Sequence, residues 1–452
     1  MYRKSRQPKP LKWIHVNPAQ MLTLSFLGLI IAGTLLLMLP FATQDRHHLS
    51  FIDAVFEATS AVCVTGLVVV DTNTTFTVFG QIVLLFLIQA GGLGFMTISI
   101  LIALFLGKNI GLKDRLLIQE SLNQLSLQGM VRLVKFVAGF TFIVEAVGAL
   151  ILFIRWAKDF GFPESIYYGI FHSVSAFNNA GFDLMGGYRS LTDYTGDISV
   201  ILTISFLLII GGIGYTVILD VIRKKSFREY TLHTKLVLIM TIVLNVLGPL
   251  LIFVLEYRNP GTLASLSLND KILGAFFHGV VPRTAGFNSV NTGDMTLSSQ
   301  MVTMALMFIG GGSGGTAGGI KVTTFIVMVL AVWTLIRGKE EVNILERRIS
   351  KGVIYRAFSI TVYSVALIFI CVFILTITEK APLNMLLFEV ISAFSTVGMS
   401  LGLTPDLSGA GKIVISLLMF AGRVGPLTLA FALARGHKKQ IVRYVEEKIM
   451  IG

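Results

Sequence analysis

Four tripeptides in this chain have the composition to hold a bare cation with backbone oxygen alone: Val64-Thr65-Gly66, Asn179-Ala180-Gly181, Thr284-Ala285-Gly286 and Thr396-Val397-Gly398. None contains an acid. A ring of Asp or Glu would suit divalent or weakly selective cation passage, whereas uncharged carbonyl oxygens suit a monovalent ion that must bind and also leave. The closing glycine tolerates backbone angles that other residues resist, so a carbonyl can be aimed into a narrow path. Each glycine stands ten residues after a Phe (Phe56, Phe171, Phe276 and Phe388), in the segments FEATSAVCVTGL, FHSVSAFNNAGF, FFHGVVPRTAGF and FEVISAFSTVGM. The repeats lie more than a hundred residues apart, too far for a solenoid, so four copies of one large unit are expected. A plainer reading, that such glycines only let membrane helices pack closely, suits a single motif better than four in register.

The elements that position these tripeptides follow from hydropathy. Of 452 residues 54% are hydrophobic and only 14% charged, with a mean hydropathy of +0.79, far from a soluble domain. Apolar runs of about 20 residues, enough to cross a hydrocarbon core of about 30 Å, recur along the whole chain. The first, from Met21 to Leu39, is too long for a typical signal sequence and lacks a cleavage pattern, so it reads as a retained span. The pattern is span, half-span, span, four times. Helices are expected near 20–40 and 75–106, 133–155 and 197–222, 234–256 and 297–336, and 354–378 and 409–435. The half-spans fall near 51–65, 164–180, 269–285 and 383–397. A half-span cannot cross the bilayer and must enter and return, which is tolerated only where protein or water covers the backbone. Its helix would point a partially negative C-terminus toward the membrane interior, favouring a cation.

The formal charge of +12 is a topology signal rather than a nucleic-acid footprint. Of the 37 Lys and Arg, 25 fall in the N-terminal segment, 108–132, 223–235, 337–356 and the segment from Arg435 onward, which the positive-inside rule places in the cytoplasm. Both termini are then cytoplasmic, with eight crossings between them, and the four tripeptides face outward. The expected organisation is a basic segment (1–17), four repeats (18–107, 108–222, 223–337 and 338–436) and a tail (437–452). The fold class is an all-α integral membrane protein: eight transmembrane helices and four re-entrant half-helices around a central ion pore. Cys63 and Cys371 form no disulfide framework or metal-ligand spacing and read as small buried hydrophobes.

The second helices repeat too, as AGGLGF (90–95), IGGIGY (210–215), GGGSGG (310–315) and AGRVGP (421–426). In the third unit the run Gly310-Gly311-Gly312-Ser313-Gly314-Gly315-Thr316-Ala317-Gly318-Gly319 is too rich in Gly for a helix, at about 1 kcal/mol per Gly relative to Ala. Gly314 and Gly319 have phosphate-loop spacing, but Ile320 stands where that motif needs Lys. A loop lining an intramembrane cavity fits its apolar flanks better. In the fourth unit Arg423 replaces Gly92, Gly212 and Gly312 of the others. A cation there must face a cavity or a partner, either holding the loop, forming a barrier to a passing ion, or packing against loop carbonyls; these readings are compatible. Lys321 shares that role or snorkels to the cytoplasmic face.

Through CVTGL, NNAGF, RTAGF and STVGM, the fourfold repeat and the second-helix glycines, the chain from about Pro18 onward resembles the Trk/Ktr/HKT superfamily of potassium transporters, and within it the Ktr membrane subunits. The resemblance implies a single-chain pore with Gly66, Gly181, Gly286 and Gly398 at a selectivity filter. K+ would be held at their backbone carbonyls and 310–319 would act as a gating loop below. Ser at the first filter position goes with sodium preference in plant relatives; Gly66 implies potassium. It further implies uptake across the bacterial plasma membrane, a homodimer, Na+ as an activator, and a cytosolic ring of RCK-type subunits binding ATP or ADP. The cytoplasmic segments here are too short for such a domain of their own. No organic cofactor and no nucleic-acid partner is expected.

A Na+- or H+-coupled transporter is the competing class, favoured by a broken helix and disfavoured by the scarcity of buried acids. An enzyme is not expected, since no nucleophile and base stand at helical spacing. Glu145, the acid inside a predicted outer helix, reads as a hydrogen-bonded or protonated carboxyl, with proton coupling the alternative. Arg283 is expected to brace the third loop beside Asn288. His172, His278, Glu57 and Glu389 are expected to make structural hydrogen bonds behind the filter.

Overall fold

The computed structural model describes residues 18–44, 49–94, 97, 130–425, 428–429, 447 and 450. The first unit comprises α1 (Pro18–Leu37), α2 (Phe51–Cys63) and α3 (Val78–Leu93), and the second α4 (Met130–Phe160), α5 (Phe162–Phe177), α6 (Ile198–Ile213) and α7 (Tyr215–Arg223). The third comprises α8 (Leu232–Glu256), α9 (Leu268–Val280), α10 (Leu297–Phe308) and α11 (Val322–Ile336), and the fourth α12 (Lys351–Thr378), α13 (Leu383–Ser395) and α14 (Gly409–Val424). The architecture is the expected all-α membrane fold, each unit running outer helix, short re-entrant helix, inner helix.

The outer helices α1, α4, α8 and α12 are long and apolar enough to cross a membrane by themselves. They leave side chains such as Ile143, Val246 and Phe369 exposed, as expected of helices with lipid on one side and protein on the other. The re-entrant helices have 13, 16, 13 and 13 residues, roughly 20–24 Å at 1.5 Å per residue, short of the hydrocarbon core. Their outer ends are built to start a helix. Ser50 and Ser267 accept the amides of Asp53 and Asp270, Pro163 stands in the first turn of α5, and Pro382 precedes α13. Asp53, Glu164 and Asp270 place negative charge at the positive end of the dipole.

The inner helices depart from expectation. Uninterrupted second helices are expected in three units, with a break only in the third, yet those three stop at the aligned glycine and the third ends earlier, at Phe308. Gly94, Gly214, Gly314 and Gly425 have φ of +80°, +105°, +75° and +91°, incompatible with a continuing right-handed helix. At Gly214 the axis turns by 93° between α6 and α7. Apart from Thr97, Thr428 and Leu429, the remainders of the first and fourth inner helices lie outside the described residues, as do the segments 1–17 and 101–129. A second departure is the antiparallel hairpin pairing Asn343 with Arg348 and Ile344 with Arg347. Its turn residues Leu345 and Glu346 both have positive φ, the signature of a type I′ turn. Val342 and Ile349 beside it are buried with Val327 and Ala357.

The core lies where the re-entrant helices converge. Phe56, Phe171 and Phe388 are fully buried. In the third unit Phe276 is only half-buried and Phe277 takes the buried place, so the Phe-to-Gly regularity slips by one residue there. Cys63 and Cys371 are free and buried, as expected.

Candidate functional site

The four tripeptide glycines meet in a closed ring. A Cβ built on Gly66 would lie 2.3 Å from the Ala180 carbonyl oxygen; on Gly181, 2.8 Å from that of Ala285; on Gly286, 2.7 Å from that of Val397; and on Gly398, 2.1 Å from that of Thr65. Each glycine therefore abuts the residue preceding the next glycine, in chain order and back to the start. All four have positive φ, between +66° and +90°, so an L side chain is opposed by conformation as well as by space. Two residues earlier φ is also positive, at Val64, Asn179, Thr284 and Thr396, while the residue between is not. This alternation of hand lets successive carbonyls turn to one side of the chain. The side chains of Thr65, Thr284 and Thr396 are buried, with no hydrogen-bond partner for their hydroxyls among the described residues.

Three of the four returns share one helix ending. Thr65, Ala180 and Val397 amides donate back five residues, to the Ser60, Ser175 and Ser392 carbonyls, and Val64, Asn179 and Thr396 amides donate back three. These paired bonds are a Schellman ending, with a residue other than Gly in the left-handed position. The same serines then use their hydroxyls. Ser60 and Ser392 accept the amides of Gly66 and Gly398, and Ser175 donates to the Phe182 carbonyl. The third unit has Val280 there, followed by Pro282, and ends differently, with Ala285 donating to the Val281 carbonyl. Arg283 braces this return by donating to Asn245 Oδ1 at 2.9 Å and to the Thr241 carbonyl at 3.4 Å, both on α8.

Behind the ring, the residue after the repeated Phe clasps the outgoing strand. Glu57 accepts from the Val69 and Val70 amides at 2.8 and 3.2 Å, and Glu389 accepts from the Ser400 and Thr404 hydroxyls. His172 Nε2 accepts from the Leu184 amide, so its proton sits on Nδ1, which donates to the Tyr168 carbonyl. His278 differs from expectation, since neither ring nitrogen has a partner among the described residues. The third strand is instead held from the second unit: Asn288 donates its amide to Ser190 Oγ and accepts from the Leu191 amide, and Thr195 donates to the Ser289 carbonyl. Outside the ring opens a cavity of about 650 Å³ lined by all four glycines and by Asp71 and Asp183.

On the other side of the ring lies the Gly-rich segment, closed at its neck where Gly310 donates to the Ile320 carbonyl and Val322 to that of Gly311. Gly312 and Thr316 amides donate to Gly212 and Gly211 carbonyls, and Tyr215 donates to the Gly314 carbonyl. The broken end of α6 thus becomes a cradle for the loop. Thr316 reaches up, its hydroxyl 3.2 Å from the Phe177 carbonyl and 2.6 Å from the Asn179 amide group. A Cβ on Gly318 would meet Thr396 Oγ1 at 1.9 Å, and Gly319 packs against Ser395. The segment from Gly310 through Gly311, Gly312, Ser313, Gly314, Gly315, Thr316 and Ala317 to Gly318 and Gly319 therefore fills the space beneath two of the four returns.

Arg423 latches this loop. Its guanidinium donates to the Thr316 carbonyl on one side and to Gly91 and Gly92 carbonyls of α3 on the other, with no carboxylate partner among the described residues. Lys321 turns back onto the loop, donating to the Ala317 carbonyl, rather than reaching for the membrane surface. The second-helix glycines carry a signal beyond the loop itself. Built Cβ atoms on Gly91, Gly211 and Gly422 would lie 1.9 Å from the Val62, Phe177 and Phe394 carbonyls, the ends of the three regular re-entrant helices. These glycines allow that contact, and the break comes three residues later.

The family described as TrkH, cation transport protein, matches residues 15–441. The chain is 48% identical over 447 residues to the Ktr system potassium uptake protein B of Bacillus subtilis, covering 99% of each. It is 41% identical to the protein of that name from Vibrio alginolyticus, over 96% of this chain and 94% of that one. To the potassium/sodium uptake protein NtpJ of Enterococcus hirae it is 37% identical, over 97% and 98%. In fold it is similar to the crystal structure of the potassium transporter TrkH from Vibrio parahaemolyticus, with a TM-score of 0.74 at 20% identity over 95% of this chain and 87% of that one. On the near-complete family match and these full-length identities, this multi-pass membrane protein belongs to the TrkH family of cation transport proteins, a family of transporters and not of enzymes.

Proposed function

We propose that the chain carries potassium inward across the bacterial plasma membrane as the channel-like translocating subunit of a Ktr-type system, with both termini cytoplasmic. The observation that carries this reading is the closed ring in which each of Gly66, Gly181, Gly286 and Gly398 abuts the carbonyl-bearing residue before the next. Such a ring of uncharged oxygens can replace the hydration shell of a monovalent cation. In this reading the tripeptides ending in those glycines are the selectivity filter, and K+ is the cargo, with Na+ as an activator. The loop 310–319, held by Arg423 and Lys321, obstructs the inner half of the path. A homodimer of this chain would work with an RCK-type ring binding ATP or ADP at the basic cytoplasmic face, the ring supplying the force that moves the loop.

Flux through proteoliposomes with opposed K+ and Na+ gradients tests the proposal. The expected result is K+-selective flux that follows the K+ gradient and rises when the nucleotide-loaded partner is added. Gly66→Ser and Gly286→Ser should each reduce the preference for K+ over Na+. Unchanged ion ratios in both variants would sink the filter assignment, and a fixed Na+ or H+ coupling ratio would replace the channel reading with coupled transport.

A further inference from the structure

Glu145 sits midway along α4 and is only 5% exposed, a placement costly enough in a membrane to demand partners. Its partners come from two units. Asn178 Nδ2 donates to Glu145 Oε1 at 3.1 Å, and Gln89 Nε2 on α3 lies 3.4 Å from Oε2. Asn178 Nδ2 also donates to Gln89 Oε1 at 2.8 Å, closing a triangle. Next to the carboxylate, Ser173 on α5 donates its hydroxyl to the Glu145 backbone carbonyl at 2.6 Å. Asn178 is the cap of α5 and the residue immediately before Asn179-Ala180-Gly181. On its far side, a Cβ on Gly92 would lie 1.9 Å from Asn178 Oδ1, and Arg423 takes the Gly91 and Gly92 carbonyls. The cluster therefore joins the second return to the first inner helix at the very turn that the loop's latch grips. In every bond that it makes, the Glu145 carboxylate accepts.

We infer that Glu145 is a positioning residue for ion passage: through Asn178 and Gln89 it fixes the second return against α3 and so sets the place of Gly181 in the ring. It touches no ion. Its effect passes through the cap of α5 and through the carbonyls presented to Arg423. The inference rests on the filter reading, and the wild-type protein in the same assay separates the two: absence of K+ preference in wild type defeats that reading, while K+ preference in wild type that persists in the variants defeats this one.

The experiment measures K+ and Na+ flux in proteoliposomes for wild type, Glu145→Leu, Glu145→Gln and Gln89→Leu. Glu145→Leu removes one of the three acceptors around Asn178 Nδ2, leaving Gln89 Oε1 and the Val174 carbonyl, and takes away the carboxylate that Gln89 Nε2 faces; it should cut the K+-to-Na+ flux ratio about tenfold, the scale of one lost buried hydrogen bond. Glu145→Gln retains an oxygen that can accept from Asn178 Nδ2 and gives up the longer contact, with Gln89 Nε2, and should restore most of that ratio although the charge is gone. A wild-type ratio in folded Glu145→Leu overturns the inference, as does a Glu145→Gln variant as impaired as Glu145→Leu, which would make charge and not position the cause. Should Glu145→Leu not fold, Gln89→Leu decides: a reduced ratio supports the inference and a wild-type ratio overturns it.

Discussion

The ring and the layer just beneath it are made from the same four repeats, yet they obey opposite rules. At Gly66, Gly181, Gly286 and Gly398 the units are equivalent, each abutting its neighbour. A few residues down each inner helix the equivalence ends. Three units bring a glycine to the carbonyl end of their own re-entrant helix. The third instead opens into the 310–319 loop, which spans from the α6 break to Thr396. In the proposed reading symmetry serves coordination, because an ion on an axis is best held by equal dipoles from all sides. A loop proposed to move needs the opposite, since one that departs from the fourfold pattern can shift without disturbing the ring.

The largest expected effect comes from a methyl group placed in each layer. Gly398→Ala sets a Cβ 2.1 Å from the Thr65 carbonyl oxygen in a left-handed backbone. It should displace one ring oxygen and lower the K+-to-Na+ flux ratio about tenfold or more, if that oxygen is worth one buried hydrogen bond. Gly312→Ala sets its Cβ 1.9 Å from the Ile213 carbonyl, pushing the loop off its cradle. That variant should keep the ion ratio while raising flux in the absence of the cytosolic partner. A swap of these outcomes would break the division between a coordinating layer and a mobile one.

Arg423→Ala comes next. It removes the bonds to Thr316, Gly91 and Gly92 carbonyls, and flux without the partner should rise several-fold, the equivalent of about 1 kcal/mol. Arg423→Lys should fall between the two, because a single ammonium lacks the planar fork that bridges the loop and α3 together. Equal flux in the Lys variant and wild type would show that charge alone, and not the two-sided bridge, holds the loop.

The two layers were not equally legible. The ring could be read because only Gly fits its backbone, and because the Phe-to-Gly interval is the length of a re-entrant helix and its turn. Of the four positive-φ residues before the ring, the three in Schellman endings, Val64, Asn179 and Thr396, escaped detection, since Val64 and Thr396 are β-branched and disfavour that conformation. They are held there by the Schellman bonds and by tertiary packing, which local preference does not encode. The 93° turn at Gly214 was equally hidden, because IGGIGYTVIL (210–219) carries no charge on either side of the break and hydropathy follows burial rather than direction. Glu57, His172 and Glu389 were recognisable as buried polar positions, but their partners lie about a dozen residues on and only the return of the chain brings them together. The 343–348 hairpin turns on Leu345-Glu346 where a type I′ turn usually has Asn-Gly, so no local signal announced it.

The smallest predicted effect gives the sharpest form of the comparison, because α14 closes the ring of units onto the first one at both levels. Arg423 does so beneath the ring. Near the outer surface Lys412 does so through an ion pair of 2.6 Å with Asp53, the two side chains 16% and 21% exposed. Exposure weakens the outer bond, and Asp53 retains its place at the start of α2, where Ser50 donates to it and the helix dipole favours it. Lys412→Met should therefore cost only about 1 kcal/mol of stability, read as a slightly lower thermal midpoint in detergent. Flux without the partner and the K+-to-Na+ ratio should both match wild type, because nothing in this pair touches the loop or a ring carbonyl. If Lys412→Met instead opened the protein as Arg423→Ala does, closure between the fourth and first units in general, and not the grip on Thr316, would be what keeps the path shut.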